Sequence, residues 1–184
     1  MRLTRAAAWP MIVLICGLAP QPMTPQSSSP PHSFQLTSPA FASAAAIPRQ
    51  YTCEGADQSP GLKWGNPPVG TVTLALVTND PDAPVGDWVH WVVWNIPPAT
   101  HEMAANFPRQ PELPNDTRQG RNDFGKIGYN GPCPPPGKTH RYFFRLYAVD
   151  TKLDLPAGAT RTELGRALQG HILAEAEYMG TYRR

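Results

Sequence analysis

Twenty-three prolines in a chain of 184 residues narrow the possible folds more than any other feature. Proline has no amide hydrogen to give to a helix interior or a central strand, and its ring fixes φ. So many of them divide a chain into short extended runs joined by turns. What remains is a β-rich framework with at most one or two helices. The apolar runs fit it. "TVTLALVTND", residues 71–80, places Val72, Leu74 and Leu76 on one face and Ala75 and Val77 on the other, the pattern of a central strand covered on both sides. "DWVHWVVWNIPP" and "HRYFFRLYAVD" have the same β-branched and aromatic character. "SFQLTSPAF" reads as an edge strand ended by Pro39, and "LKWGNPPVGT" as a strand running into a turn. With 41% hydrophobic and 16% charged residues, the composition is globular, and the length suits one domain with one core.

Two segments depart from this pattern. From Thr162 to about Tyr178, Leu164, Ala167, Leu168, Ile172 and Ala176 recur at a helical period, with Thr162 as N-cap and two internal glycines, Gly165 and Gly170, as weak points. From His101 to Phe124 the chain is polar and proline-broken, and it reads as an excursion over the surface.

The N-terminus pairs a basic start, Arg2 and Arg5, with an apolar run from Ala6 to Ala19 that is short for a membrane span and interrupted by Pro10. Residues 1–19 are therefore expected to be a secretory signal, with an uncleaved anchor as the alternative. Cys16 lacks the small preceding residues of a lipidation signal, since Val13, Leu14 and Ile15 stand there. Residues 20–32, "PQPMTPQSSSPPH", have the composition of an extended tether, so the domain is expected over 33–184. Export implies a periplasmic or secreted location with at most peripheral membrane contact. Loss of Arg2 and Arg5 would bring the formal charge of +2 to zero, and no basic stripe with interleaved aromatics argues for nucleic acid.

Cys53 and Cys133 then remain as an even pair in an exported chain, which predicts a disulfide, with two free thiols as the alternative. Closing a loop of roughly 80 residues would contribute roughly 4–5 kcal/mol in the chain-entropy model.

The chemistry gathers in two rigid stretches. In "NDPDAPVGDWVHW", residues 79–91, Asp80, Asp82 and His90 are possible metal ligands together with His140, yet prolines 81 and 84 constrain the acids and no compact histidine pair anchors a metal. No metal or other cofactor is expected. A nucleophilic hydrolase would need an activated serine, and Ser59 is followed by proline where a nucleophile elbow would turn into a helix. The chain is accordingly not expected to be an enzyme. In "GYNGPCPPPGKTHRY", residues 128–142, stiff side-chain-poor backbone leaves amides such as that of Gly131 to approach an anion, with His140 directly after the loop. Imidazoles of His90 and His140 would donate to a phosphate-sized group while Trp88 or Tyr129 covers an apolar neighbour. The aspartates would orient an imidazole or receive a cationic part of the same ligand. A phosphoethanolamine-like head group carries both signs. Structural accounts remain open beside this one: Asp80 and Asp82 capping their own turn, His90 a core histidine, Trp91 and Trp94 core, and His171 structural.

"DPDAP", "HWVVWNIP" and "GYNGPCPPPGKTHRY", with the flanking "IPRQYTCEGADQSPGLKW" and "LGRALQGHILAEAEYMGTY", resemble the phosphatidylethanolamine-binding protein family, in particular its bacterial Raf kinase inhibitor-like branch. The resemblance implies a predominantly β fold, two antiparallel sheets in a Greek-key sandwich with flanking helices, and a small anion pocket. Position by position, the pocket would comprise Asp80, Trp88, His90 and His140, together with Asp82, Gly131 and Pro132. The implied function is non-catalytic binding of phosphate-type or phospholipid head-group ligands. The alternative is a protein–protein regulator, a serine protease or kinase inhibitor-like module, although the C-terminus differs from that of animal members.

Overall fold

The computed structural model describes residues 34–184. Nine strands and one short α-helix follow one another as β1 (Leu36–Thr37), β2 (Leu62–Trp64), β3 (Thr73–Asp80), β4 (Trp88–Ile96), β5 (Glu102–Met103), β6 (Arg118–Arg121), β7 (His140–Val149), β8 (Gly158–Thr160), α1 (Arg161–Ala167) and β9 (Ile172–Tyr182). The fold is mostly β, as the proline content implies, and built on two sheets, as the family resemblance implies. One sheet has six strands in the order β8-β6-β4-β3-β7-β9, and the other has three in the order β1-β2-β5. Pairing is antiparallel except between β6 and β8, which run parallel. The flanking helices reduce to α1 and one 3₁₀ turn at Arg49–Tyr51.

β3 lies between β4 and β7, and all eight of its residues are buried. Alternation along it feeds two cores. Leu74 and Leu76 join Trp91, Phe144 and Leu146 on the side of the small sheet, while Ala75 and Val77 join Val92, Trp94 and Leu164 on the side covered by α1. Val72 does not take the face expected of it. It precedes the strand and is half exposed.

The long C-terminal helix is overturned. α1 stops at Ala167, and its N-cap is Thr160, not Thr162, in a reciprocal capping box with Glu163. Gly170 then takes a left-handed φ of 80°, and the chain turns into β9. Ala174, Ala176, Tyr178 and Gly180 alternate with Glu175 and Glu177, and β9 pairs with β7 from His140↔Tyr182 to Val149↔Ile172. Ile172 and Ala176 fit both periods, and the ten-pair ladder decides between them, since only the strand satisfies the free edge of β7.

The surface excursion is also corrected. Residues 101–124 contribute β5 and β6, and Gln119 of β6 is fully buried because its side chain accepts from Trp91 Nε1 at 2.7 Å and donates to the Pro108 and Gln110 carbonyls. A polar residue enters a core when every one of its hydrogen-bonding groups is satisfied there. The expected signal and tether lie outside the described residues. Among those described, no helix is long and apolar enough to cross a membrane.

Candidate functional site

β3, β4 and β7 all end at one edge of the large sheet, and a cavity of about 250 Å³ opens there. Asp80 closes β3, Trp88 and His90 begin β4, and His140 begins β7, so antiparallel order brings together residues up to 60 positions apart. Asp80, His90 and His140 form the polar part of the lining. The rest is apolar: Ala83, Pro84, Val85, Trp88, Phe124 and the disulfide-proline run from Cys133 to Pro135.

The hydrogen bonds assign the ring nitrogens. Asp80 and His140 are both almost fully buried, and His140 Nδ1 donates to Asp80 Oδ2 at 2.8 Å. Asp80 Oδ1 accepts from the Asp82 amide at 2.8 Å, so the carboxylate is bonded on both oxygens. His90 Nδ1 donates to the Asn130 carbonyl at 2.7 Å. Carboxylate and carbonyl oxygens carry no proton to give, so in each ring Nδ1 is the donor and Nε2 is left for the cavity. Burial holds the His90 pKa below the ordinary imidazole range, against the opposing Asn130 bond and the charges of Asp80, Asp123 and Asp57. His90 is therefore neutral at pH 7 and presents a lone pair at Nε2. Phe124 and Tyr142 stand edge-on to its ring at 5.2 and 5.3 Å between centroids. The Tyr142 hydroxyl is buried with no partner among the described residues, and burial pushes its pKa upward.

Comparison with known proteins gives this arrangement a context. Residues 37–183 match the family model described as phosphatidylethanolamine-binding protein. The chain belongs to the phosphatidylethanolamine-binding protein family. A UPF0098 protein of Methanothermobacter thermautotrophicus is 49% identical over 149 residues, a span of 81% of this chain and 98% of that relative. Among solved structures, a phosphatidylethanolamine-binding protein homologue from Chlamydia trachomatis is 39% identical with a TM-score of 0.75, covering 83% of this chain and 99% of its own. Escherichia coli YbcL, described as a member of the mammalian phosphatidylethanolamine-binding protein family, is 35% identical with a TM-score of 0.77 and covers 82% and 98%.

Of the positions that the family resemblance marks for the pocket, the structure brings Asp80, Trp88, His90 and His140 to the cavity. The other three stand behind it or beside it. Asp82 turns to Arg141, which meets both carboxylate oxygens at 2.7 and 2.8 Å and adds its backbone amide at 3.0 Å. That ion pair brings the Asp82 pKa from an ordinary 3.8 to about 2. The Gly131 amide, expected to be free for an anion, donates to Asp57 Oδ1 at 2.7 Å instead. Glycine is required there for a different reason, because a Cβ would overlap the Tyr51 carbonyl. Pro132 is buried and accepts from the Cys53 amide at 3.1 Å. Tyr129 is a core residue, packed on Trp91 with its hydroxyl on the Tyr51 carbonyl, so the aromatic cover falls to Trp88.

Cys53 and Cys133 are bonded to each other, with Cα atoms 5.4 Å apart and 80 positions of sequence between the two numbers. Asp80, His90 and His140 share the cavity lining, but among the described residues no group of three or more His, Cys, Asp or Glu side chains is placed so that it could hold a metal ion. Sequence reasoning missed Phe124, which T-stacks on Trp88 at 5.5 Å, and Asp57, which accepts from Asn130 Nδ2 and the Gly131 amide. The one available signal for Phe124 was its isolation as a large apolar residue between "RND" and "GK".

Proposed function

We propose that this member of the family is an exported, non-catalytic binding protein whose cavity takes a phosphate-type group, free or as a phospholipid head group. The observation that carries the reading is the shared commitment of two imidazoles: each gives Nδ1 to a fixed acceptor, and each keeps Nε2 for a small cavity with apolar walls. Few polar groups at fixed positions within apolar walls are the usual make-up of a small-ligand site. The lining includes no serine, threonine, lysine or free thiol among the described residues, which supports binding over nucleophilic catalysis. The basic and apolar N-terminal run together with the disulfide supports an oxidising compartment outside the cytoplasm.

Neutral His90 adds a condition. A phosphate dianion offers only acceptors, so it meets the Nε2 lone pair unfavourably. A monoanion brings a P–O–H donor, or the complex draws a proton from solvent onto the ring. In either case affinity falls as pH rises through neutrality. Calorimetry with inorganic phosphate and with phosphoethanolamine between pH 5.5 and 8.5 tests this. The expected outcome is binding that weakens with pH, and His140→Ala should lose about 1.5–3 kcal/mol for both ligands, the usual value of a charge-assisted hydrogen bond. Absence of binding to either ligand across that range would sink the reading.

A further inference from the structure

The two cavity histidines are held at Nδ1 by different acceptors, and the difference leads to a residue outside the cavity. His140 reaches a carboxylate directly, through Asp80. His90 reaches the Asn130 carbonyl, and the N–H of that same peptide unit, carried by Gly131, donates to Asp57 Oδ1 at 2.7 Å. A peptide bonded at both ends is polarised, so a carboxylate on its N–H makes its carbonyl a stronger acceptor. Asp57 Oδ2 also accepts from Asn130 Nδ2 at 2.9 Å, and Asn130 Oδ1 accepts from Asn122 Nδ2 at 2.9 Å. Backbone and side chain at this corner thus rest on one carboxylate. Asp57 is in turn fixed by a left-handed φ of 54° and by Arg109, whose guanidinium meets both its Oδ2 and its backbone carbonyl.

We infer that Asp57 is a positioning residue of the cavity: through the single Asn130–Gly131 peptide it holds His90 in the Nδ1–H tautomer, with Nε2 as the nitrogen that meets the ligand. Each histidine then has a carboxylate behind it, one in direct contact and one a peptide away. Its effect on ligand affinity rests on the binding reading above, whereas its effect on the imidazole does not.

The other groups that face His90 are Asp80 from β3, Asp123 from the loop after β6 through the Val89 amide, the Tyr142 ring and His140 from β7, and Phe124. Asp57 is distinguished from Asp80 and Asp123 by its connection through the Asn130 carbonyl. A variant there should change tautomer as well as titration, without touching the cavity.

The test uses the full chain labelled with ¹⁵N, and it follows the His90 and His140 ring nitrogens by long-range ¹H–¹⁵N spectra across pH, without ligand. In Asp57→Asn, His90 is expected to titrate at lower pH than in the parent and to show a mixture of tautomers, while His140, bonded to Asp80, is unchanged. Inorganic phosphate affinity at pH 6 should fall about three- to tenfold, the scale of one weakened hydrogen bond. Arg109→Gln leaves the carboxylate and removes its counter-cation, so it should move the His90 titration upward, and it decides by sign alone if Asp57→Asn does not fold. Unchanged His90 tautomer and titration in Asp57→Asn, or a downward or absent shift in Arg109→Gln, would overturn the inference. A parent that fails to bind phosphate counts against the proposed function only, since the ring spectra still decide the role of Asp57.

Discussion

The wall that runs from Asp80 to Trp88 is held by its own side chains and by surface arginines, whereas the wall from Asn130 to Pro135 is fastened from behind to buried backbone. In the first, Asp80 accepts from the Asp82 amide, Asp82 grips Arg141, and Asp87 meets Asn79 and, at 3.1 Å, Arg161. Val85 at its rim is 78% exposed. In the second, the Asn130 amide donates to the His90 carbonyl, Gly131 packs on Tyr51, Cys53 donates to Pro132, and the disulfide joins residue 53 to residue 133. Both walls are rich in proline. Their difference shows that proline limits the shapes a loop can take, while its place is set by what stands behind it. For the second wall that support is the 51–57 segment.

The largest expected effect comes from cutting that support. Replacing Cys53 and Cys133 together by serine should lower unfolding free energy by about 2–5 kcal/mol, the usual cost of losing a native disulfide. Denaturant unfolding with and without reductant measures it, and the reduced parent should match the double variant. A loss below about 1 kcal/mol would place the strength of the second wall in its hydrogen bonds.

The next comparison uses one glycine in each wall. Gly131→Ala puts a methyl into the Tyr51 carbonyl, so backbone must move, and the cost should approach about 3 kcal/mol, the upper part of the overpacking range. Gly86 has open space around it and a φ of 101°, so Gly86→Ala should cost about 1–2 kcal/mol from conformation alone. Equal costs measured in urea would erase the distinction between a fastened wall and a free-standing one.

How much of this was legible in the sequence follows from the range of the interactions. β3, β4 and β7 were readable because period-2 apolar runs report a strand's own burial, and the same strands carry Asp80, His90 and His140 to one edge. The helix expected over 162–178 failed because Ile172 and Ala176 suit both periods, and pairing with a strand some thirty positions earlier settles the choice. The family resemblance marks Asp82 and Gly131 through local motifs, and a motif shows only proximity along the chain. Their actual partners, Arg141 and Asp57, lie 59 and 74 positions away. Gln119 escaped for the same reason, since the partner that satisfies its side-chain oxygen, Trp91, lies 28 positions away.

Within the cavity, His90 should give the folded state a pH dependence that the Asp82 wall does not share. Burial lowers its folded pKa beneath the ordinary 6.5, so below that pH the unfolded chain takes up a proton that folded His90 refuses. The contribution is fully present above the unfolded value and is lost as pH falls toward the folded one. Unfolding free energies of the parent and of His90→Gln, measured from pH 7.5 to 5, should converge as pH drops. Parallel curves would mean that His90 titrates alike in the folded and unfolded chain, and curves that diverge in favour of the parent as pH falls would mean that it is charged when folded, contrary to its burial.

The smallest effect is expected at Asp82, where it also separates the two walls most directly. Its partner Arg141 is mostly exposed, so solvent screens the pair, and exposed ion pairs contribute about 0.2–1 kcal/mol. Asp82→Asn should therefore cost less than about 1 kcal/mol near neutral pH. The sign of its pH dependence follows from a folded pKa of about 2 against an ordinary 3.8: the contribution is complete above the higher value and disappears as pH falls through the lower one. Parent and variant should thus converge as pH falls toward about 2, in a window well separated from that of His90. Ligand binding sharpens the comparison. Asp82 is occupied by Arg141 outside the cavity lining, so Asp82→Asn should leave inorganic phosphate affinity within about twofold of the parent, less than the weakest hydrogen bond to a charged group would change it. The same should hold for phosphoethanolamine. A selective loss of phosphoethanolamine affinity would mean that Asp82 leaves Arg141 to receive the ammonium, and the first wall would then be a moving part of the site and not a frame around it.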